Sequence, residues 1–164
     1  MGGSEFYQTT GNIAKGRIPT VDLNIDRLNS KTVLKLIRNN VVRSIHDCSK
    51  GGLAISLCEM AMIGEIGFEV YLDRVPNTCS SIYDLVFSES ASRYILGTDD
   101  RDGVHKILSA IDGLKYSEIG TATSKGSDAI LYHRKMEGPV TLSHESIIRS
   151  YGRLGTIMEQ NSMN

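Results

Sequence analysis

The sequence predicts an α+β fold in which helices pack on a mixed β-sheet. Strand-like and helix-like segments alternate along the chain, the helical segments are too few to connect every pair of strands, and residues 116–132 have the pattern of a hairpin. A purely parallel, doubly wound sheet is therefore less favoured. A chain of 164 residues is long enough for one domain with a sizeable core, and we predict a single domain over residues 1–164.

Short β-branched or alternating segments predict the strands. The clearest is the segment from Ile66 to Leu72, in which every second residue is large and apolar. Residues 123–127 include a glycine and are the predicted turn of the hairpin. In chain order, the predicted strands are residues 5–10, 41–45, 66–72, 94–97, 116–121, 129–132 and 140–142.

Apolar residues at spacings of three and four predict the helices. Asn39-Asn40, Gly64 and Gly113 are the expected stops, since glycine and asparagine tolerate the backbone that ends a helix. The tail from residue 158 to residue 164 is expected to be frayed. The predicted helices begin, in chain order, at Asp26 or Ser30, near Leu53, near Ser80, at Asp99-Asp100 and at Ser143.

Composition and charge argue against several classes of partner. The chain has 18 basic and 19 acidic residues and a net charge of −1, which does not favour a nucleic-acid or anionic-membrane surface. No apolar run has the length of a membrane span, and the polar, glycine-rich start does not resemble a secretory signal. The three cysteines are odd in number and fit no zinc-site spacing. We therefore expect a cytoplasmic protein.

Residues 46–53 form the stretch with the strongest functional signal. They follow a predicted strand and precede a predicted helix, and Gly51-Gly52 lets the backbone turn sharply and approach a ligand closely. Unpaired N–H groups at the helix start would attract an anion such as phosphate, while Ser49 could cap the helix or bond the anion. The alternative is a strand-to-helix turn in which Ser49 is only a cap.

The neighbouring side chains offer little catalytic chemistry. His46 and Asp47 are adjacent in a predicted strand end, so their side chains would point to opposite faces and would not form one dyad. Cys48 has no identifiable base partner, and one carboxylate is a weak basis for a magnesium site. The other histidines, His105, His133 and His144, have no ligand spacing and are expected at the surface. We predict neither a catalytic residue nor a metal ligand.

A second polar stretch is Ser88-Glu89-Ser90, which precedes a predicted strand and is followed by Arg93. These groups could hold a polar ligand or orient the loop around Gly51. Alternatively, Glu89 and Arg93 could pair on the surface, which stabilises by roughly 0.2–1 kcal/mol, and the serines could bond the local backbone.

Three motifs in one order resemble the C-terminal domain of phosphoribosylformylglycinamidine synthase, the synthetase of purine biosynthesis. Residues 46–54 (HDCSKGGLA) and residues 57–61 (LCEMA) are similar to its HDxSxGGLA…LxEMA segment, and residues 86–94 (VFSESASRY) are similar to its LFSESxSRF segment. Residues 2–6 (GGSEF) resemble the GGSEY that opens that domain, which favours native sequence there rather than a cloning remnant. The resemblance runs from about residue 2 to residue 133.

This resemblance implies a fold and a reaction. The fold would be the C-terminal type of the aminoimidazole ribonucleotide synthase superfamily. The whole enzyme would use ATP and Mg²⁺ to activate formylglycinamide ribonucleotide, and ammonia from a glutaminase subunit would then displace phosphate to give the amidine. A small accessory subunit would complete the complex. The catalytic histidine would lie on another domain, so the isolated chain is expected to be inactive.

The resemblance also implies a set of binding residues for phosphate or substrate, and two alternatives stay open. One is a non-catalytic structural or auxiliary nucleotide-binding module. The other is a domain of a selenophosphate synthetase or of a hydrogenase-maturation relative, although Ser88-Glu89-Ser90 favours the purine enzyme. The implied binding residues are Gly2, Gly3, Ser4, His46, Asp47, Ser49, Gly51, Gly52, Ser88, Glu89 and Ser90.

Overall fold

The structure, a computed structural model, describes residues 1–12 and 16–152. The chain divides into two compact units: Met1–Leu57 with Pro76–Tyr116, and Cys58–Val75 with Ser117–Asn164. The predicted frayed tail, residues 158–164, lies outside the described residues. Among those residues, no helix is long and apolar enough to cross a membrane.

Six helices, six strands and a short 3₁₀ turn (Leu72–Arg74) occur in the described part of the chain. The helices are α1 (Glu5–Thr9), α2 (Leu23–Arg38), α3 (Gly52–Gly64), α4 (Ile82–Phe87), α5 (Arg101–Ser109) and α6 (residues 144–152). The strands are β1 (Ser44–Asp47), β2 (Ile66–Tyr71), β3 (Tyr94–Gly97), β4 (Gly120–Lys125), β5 (Ala129–Tyr132) and β6 (Val140–Leu142).

The first unit is built around an antiparallel pair of strands. β1 pairs with β3, so that Ser44 lies opposite Gly97 and Asp47 opposite Tyr94. Helix α2 contacts α5 and buries Leu36 completely. This pairing places the start of α3, which follows β1, beside the segment that precedes β3. The two polar stretches singled out in the sequence therefore lie at the same end of the strand pair.

The second unit contains a four-stranded sheet with the strand order β4-β2-β5-β6. β2 runs parallel to β5, while β4 is antiparallel to β2 and β6 is antiparallel to β5. The alternation predicted for β2 is confirmed in its centre, where Phe68 and Val70 are buried. The sheet is mixed and is accompanied by helices, which confirms the predicted fold class.

The predicted hairpin of residues 116–132 is wrong. β4 and β5 are close in sequence, but β2 lies between them and pairs with both. The connecting loop passes the start of β2, where Gly126 N–H donates to the Glu65 carbonyl over 2.9 Å. An apolar central strand that pairs on both edges satisfies more backbone groups than a two-stranded hairpin does, which explains why β2 displaces the local pairing.

The predicted strand at residues 5–10 is a helix. Ser4 caps α1, since its Oγ accepts the N–H of Tyr7 over 3.4 Å. The Phe6 ring then stacks on Phe87 of α4, with a centroid distance of 4.6 Å. A local cap and aromatic packing on α4, which also includes Tyr83, therefore favour a helix in a segment whose own pattern is too short to be informative.

Several boundaries differ from the sequence prediction. Helix α2 starts earlier than Asp26 or Ser30, because Asp22 Oδ1 accepts the N–H groups of Asn24 and Ile25. The stop at Asn39-Asn40 is confirmed.

The ends of the later elements also differ. Gly64 is still helical, and the left-handed residue after α3 is Glu65, with φ +52°. α5 already ends at Ser109, ahead of Gly113, and the first strand is residues 44–47 rather than 41–45. The last helix does begin after Ser143, whose Oγ accepts the N–H of Ser146 over 3.2 Å.

The expected surface position holds for one of the three outlying histidines. His105 is exposed. The His133 side chain is only 10% exposed, and its Nε2 lies 3.5 Å from Asp73 Oδ1. The Nδ1 atom of His144 is buried and has no hydrogen-bond partner in the described ranges. Packing of the second unit, which the sequence spacing does not show, covers part of each of these two side chains.

Candidate functional site

The turn between β1 and α3 has the conformation that the glycine pair predicts. Gly51 and Gly52 both have left-handed backbones, with φ +72° and φ +66°. Gly52 N–H donates to the Ser49 carbonyl over 3.1 Å, which closes the turn. Left-handed backbone strains a residue with a Cβ, and here two such residues are consecutive.

Gly52 also lies directly against the second polar stretch. A Cβ atom built on Gly52 would come 2.6 Å from the Ser88 carbonyl oxygen and 2.9 Å from that of Val86. Real Cβ atoms do not approach backbone oxygens so closely, and backbone cannot swing away as the end of a side chain can. The glycine is thus explained by close packing of the turn on residues 86–88.

Glu89 joins three sequence stretches at one carboxylate oxygen. Its Oε1 accepts the N–H of Gly51 and the N–H of Glu5, each over 2.9 Å. Glu5 is the first residue of α1 and directly follows Gly2-Gly3-Ser4. The three predicted stretches therefore converge on one region of the first unit. The anion that meets the N–H of Gly51 is a carboxylate of the same chain.

The N-terminal stretch is held mainly by its backbone. Gly2 is buried, and its N–H donates to the Arg17 carbonyl over 2.9 Å. Ser4 is 2% exposed and caps α1, whereas Gly3 is exposed. Sequence reasoning missed an additional link at this junction, an exposed ion pair of Lys50 Nζ with Glu5 Oε1 at 3.3 Å.

Arg93 fixes the backbone of the second polar stretch. Its guanidinium donates to the carbonyl oxygens of Ser88 and Ser90. Arg93 and Glu89 therefore do not act mainly as the surface pair considered above. The Arg93 cation binds carbonyl groups, and the Glu89 carboxylate binds amide groups. Ser88 is buried, while Glu89 and Ser90 are partly exposed.

His46 and Asp47 lie at the end of β1, beside the glycine turn. His46 Nδ1 is 2.6 Å from the Asp47 carbonyl oxygen but 4.0 Å from its carboxylate, which is beyond hydrogen-bond distance. The same carbonyl accepts the hydroxyl of buried Ser56 over 3.1 Å. In the described part of the chain, no group of three or more His, Cys, Asp or Glu side chains could hold a metal ion.

Cys48 lies inside the turn and has the properties of a core residue. It is 6% exposed, and its N–H donates to the Arg93 carbonyl over 2.8 Å. Burial raises the pKa of the Cys48 thiol, although the nearby Arg93 charge and a hydrogen bond with Ser56 partly oppose that effect. A thiol with a raised pKa is protonated at neutral pH and is a poor nucleophile.

A surface depression of the first unit lies away from these stretches. A cavity of about 320 Å³ is bordered by Phe6, Tyr7, Tyr83 and neighbouring polar residues, and none of the eleven predicted site residues lines it. The converging stretches therefore form an exposed edge with a packed support, which is suited to one wall of a ligand site. The exposed side chains at that edge are Asp47, Ser49 and Lys50.

Comparison with known proteins identifies relatives of this chain. The family model described as "AIR synthase related protein, C-terminal domain" matches residues 1–133. Phosphoribosylformylglycinamidine synthase subunit PurL of Thermococcus gammatolerans is 33% identical over 153 residues, which are 90% of this chain and 21% of the relative. The same subunit of Thermococcus sibiricus is 42% identical over 121 residues, covering 73% of this chain and 16% of the relative.

Solved structures show the same fold. The structure of PurLQS from Thermotoga maritima matches with a TM-score of 0.67 at 18% identity, over 82% of this chain and 23% of that chain. T. maritima PurL complexed with ATP matches with a TM-score of 0.61 at 18% identity, over 73% of this chain and 21% of that chain. The HypE–HypF complex matches with a TM-score of 0.55 at 14% identity, over 69% of this chain and 40% of that chain.

These matches cover between 69% and 90% of this chain but a smaller share of each relative. The chain spans about a fifth of the length of the curated relatives that it matches. Similarity to solved structures at 18% identity or less shows the fold alone, whereas the family model covers most of the sequence. The chain therefore belongs to the family of AIR synthase related protein C-terminal domains.

Proposed function

We propose that this chain is the C-terminal domain of a phosphoribosylformylglycinamidine synthase and forms one wall of a ligand site in it. The observation that carries this proposal is the junction at Glu89. The three stretches that resemble the synthase are distant in sequence, and one carboxylate oxygen joins two of their backbone amides. Curated relatives that bear the synthase name are 33% and 42% identical to this chain.

The whole synthase would catalyse an ATP-dependent amidation in purine biosynthesis, in the cytoplasm. ATP would activate the formyl amide oxygen of formylglycinamide ribonucleotide, and ammonia would then displace phosphate to form formylglycinamidine ribonucleotide. A glutaminase subunit would release that ammonia from glutamine, and a small accessory subunit would complete the assembly. The name PurLQS of one structural neighbour and the ATP complex of another support a multi-component, nucleotide-dependent enzyme.

This domain would contribute no catalytic group of its own. His46 and Asp47 do not form a dyad, and Cys48 is a buried thiol with a raised pKa. The described residues contain no group of three or more His, Cys, Asp or Glu side chains that could hold a metal ion. As the resemblance implies, most ligands of Mg²⁺ would come from other domains. The isolated chain is therefore expected to be inactive, and its role is to bind and orient a phosphorylated ligand.

The eleven site residues divide into two groups under this proposal. Those at the exposed edge, including Gly3 and Ser49, can touch a ligand, and Lys50 adds a positive charge beside them. The buried ones, such as Gly52 and Ser88, support that edge from below. Substitution at Gly52 would break packing and binding together, so exposed residues give the clearer test.

Reconstitution tests the proposal directly. The chain is mixed with the remaining domains of a related synthase, and substrate-dependent ADP release is followed with ammonia as the nitrogen donor. Activity that needs both pieces is the expected result. Ser49→Ala should then raise the KM for formylglycinamide ribonucleotide, whereas Ser109→Ala, which alters an exposed serine of α5, should not. A chain that neither binds its partner nor restores turnover would overturn the assignment.

A structural or auxiliary module is the second candidate, and one observation favours it. Glu89 already occupies the N–H of Gly51, and the glycine pair is explained by packing on residues 86–88. Both features need no ligand. If the chain binds its partner but adds no turnover, or if Ser49→Ala leaves KM unchanged in an active complex, this second function is the correct one.

A further inference from the structure

We infer that Glu89 is a positioning residue that couples the N-terminal segment (residues 1–12) to the glycine turn. When Glu89 is lost, the backbones of both segments become less ordered together. The inference rests on the proposed function in one respect: the edge that Glu89 holds in place is the proposed ligand edge. The coupling itself is a property of this chain and can be measured without a ligand.

The geometry assigns this role to a single atom. Glu89 Oε1 accepts two backbone amides, from Glu5 at the start of α1 and from Gly51 at the turn. A carboxylate oxygen has lone pairs for both, and hydrogen bonds to a charged acceptor are about twice as strong as neutral ones. If the carboxylate is removed, each amide loses its partner in a partly buried place.

The surroundings hold Glu89 where it can serve both amides. Arg93 fixes the carbonyls on either side of Glu89, at Ser88 and Ser90, and Gly52 packs against the Ser88 carbonyl. On the other side, the Glu5 carboxylate pairs with Lys50 at 3.3 Å, which links α1 to the turn a second time. That ion pair is exposed and weak, so Glu89 is the main connection.

In this role, Glu89 does not itself contact the ligand. A phosphate placed at the N–H of Gly51 would meet the Glu89 carboxylate there, and two anions at one donor repel each other. That position therefore does not fit a phosphate group. Glu89 acts through Gly51 and Glu5, and a bound ligand would be met by the exposed groups that this arrangement holds in place.

Amide hydrogen exchange in the 164-residue chain tests the coupling. Glu89→Ala should speed exchange at both the Glu5 and the Gly51 amide, by about tenfold or more, as expected for loss of a hydrogen bond to a charged acceptor. Glu89→Gln retains a side-chain oxygen and should restore most of the protection at both amides. Asp100→Ala is the matched control, since Asp100 Oδ1 accepts the Gly103 amide over 3.0 Å in the same unit.

The outcomes are distinct for this inference and for the proposed function. Exchange that rises at only one amide, or at neither, overturns the coupling. In the reconstituted synthase, Glu89→Ala should raise KM more than it lowers kcat, and Glu89→Gln should rescue KM, which a loss of folded protein alone would not do. If the wild-type complex is active and Glu89→Ala leaves its KM unchanged, the positioning role is overturned. A wild-type complex without turnover overturns the proposed function, while the exchange result still decides the coupling.

Discussion

Gly52 and the Ser88 carbonyl are in such close contact that no side chain fits between them. A Cβ on Gly52 would come 2.6 Å from that oxygen, and Gly52 also has a left-handed backbone with φ +66°. Two independent physical reasons thus require glycine at the start of α3. The close contact also sets the distance between the glycine turn and the stretch that contains Glu89.

Gly52→Ala is expected to destabilise the chain by about 2–4 kcal/mol, the sum of left-handed strain and overpacking against backbone. The matched control is Gly113→Ala. Gly113 has a similar φ of +75° but nothing within 4 Å of its missing Cβ, so only the strain of about 1 kcal/mol applies. Urea denaturation measures the free energy of unfolding of both variants. Equal losses for the two variants would show that the contact with Ser88 does not limit packing.

The sequence predicted this turn because glycine pairs have a local physical signature. The junction of β1 and α3 is where the glycines indicated it, and a short helix at residues 82–87 follows from its apolar spacing and its Ser81 cap. Signals of this kind lie within a few residues of the feature that they determine. The N-terminal stretch, in contrast, was grouped with the glycine turn only through resemblance to a family.

The pairing of strands could not be derived in the same way. β4 and β5 lie four residues apart in sequence and carry a glycine loop, yet β2 lies between them. Which strand occupies a sheet centre depends on burial across the whole unit, which no local pattern encodes. Similarly, nothing near Glu89 indicates that its partners are amides 84 and 38 residues away.

Thiol reactivity should distinguish the three cysteines. Cys48 and Cys58 are buried and Cys79 is exposed. Burial raises the pKa of all three, that of Cys58 to about 11 with help from the Glu59 charge. We expect an aromatic disulfide reagent at neutral pH to label Cys79 in the folded chain and the other two only after unfolding. Cys79→Ser should abolish the early reaction; rapid labelling that persists in this variant would contradict the burial of Cys48.

The ion pair of Glu65 and Lys125 should give stability a specific dependence on acid pH. A hydrogen bond from Lys125, with its charge, lowers the pKa of the Glu65 carboxyl below its usual 4.5. Because the folded pKa is the lower one, the contribution is complete above about pH 4.5 and is lost as the pH falls through the folded value. Denaturation of Glu65→Gln and wild type should therefore differ at neutral pH and converge in acid. Lys125→Gln should show the same pH dependence. If the stability difference from wild type instead grows in acid, the pKa of Glu65 is not lowered by this pair.

Tyr151 of α6 should stabilise the second unit through Glu59 of α3. The phenol hydroxyl donates to Glu59 Oε1, and burial, followed by this hydrogen bond and the Glu59 charge, raises the pKa of Tyr151 above its usual 10. Tyr151→Phe is expected to cost about 1 kcal/mol at neutral pH, the usual net value of a hydrogen bond.

The pH dependence of that cost gives the sharper test. A phenol with a raised folded pKa contributes fully below its unfolded pKa of 10 and loses that contribution as the pH rises towards the folded value. The difference between Tyr151→Phe and wild type should therefore be constant from neutral pH to about pH 9 and shrink in stronger base. Tyr116→Phe, which alters an exposed hydroxyl 3.3 Å from His105 Nδ1, should change stability by less than about 0.5 kcal/mol. If Tyr151→Phe is equally mild at neutral pH, the contact between α6 and α3 does not depend on this hydrogen bond.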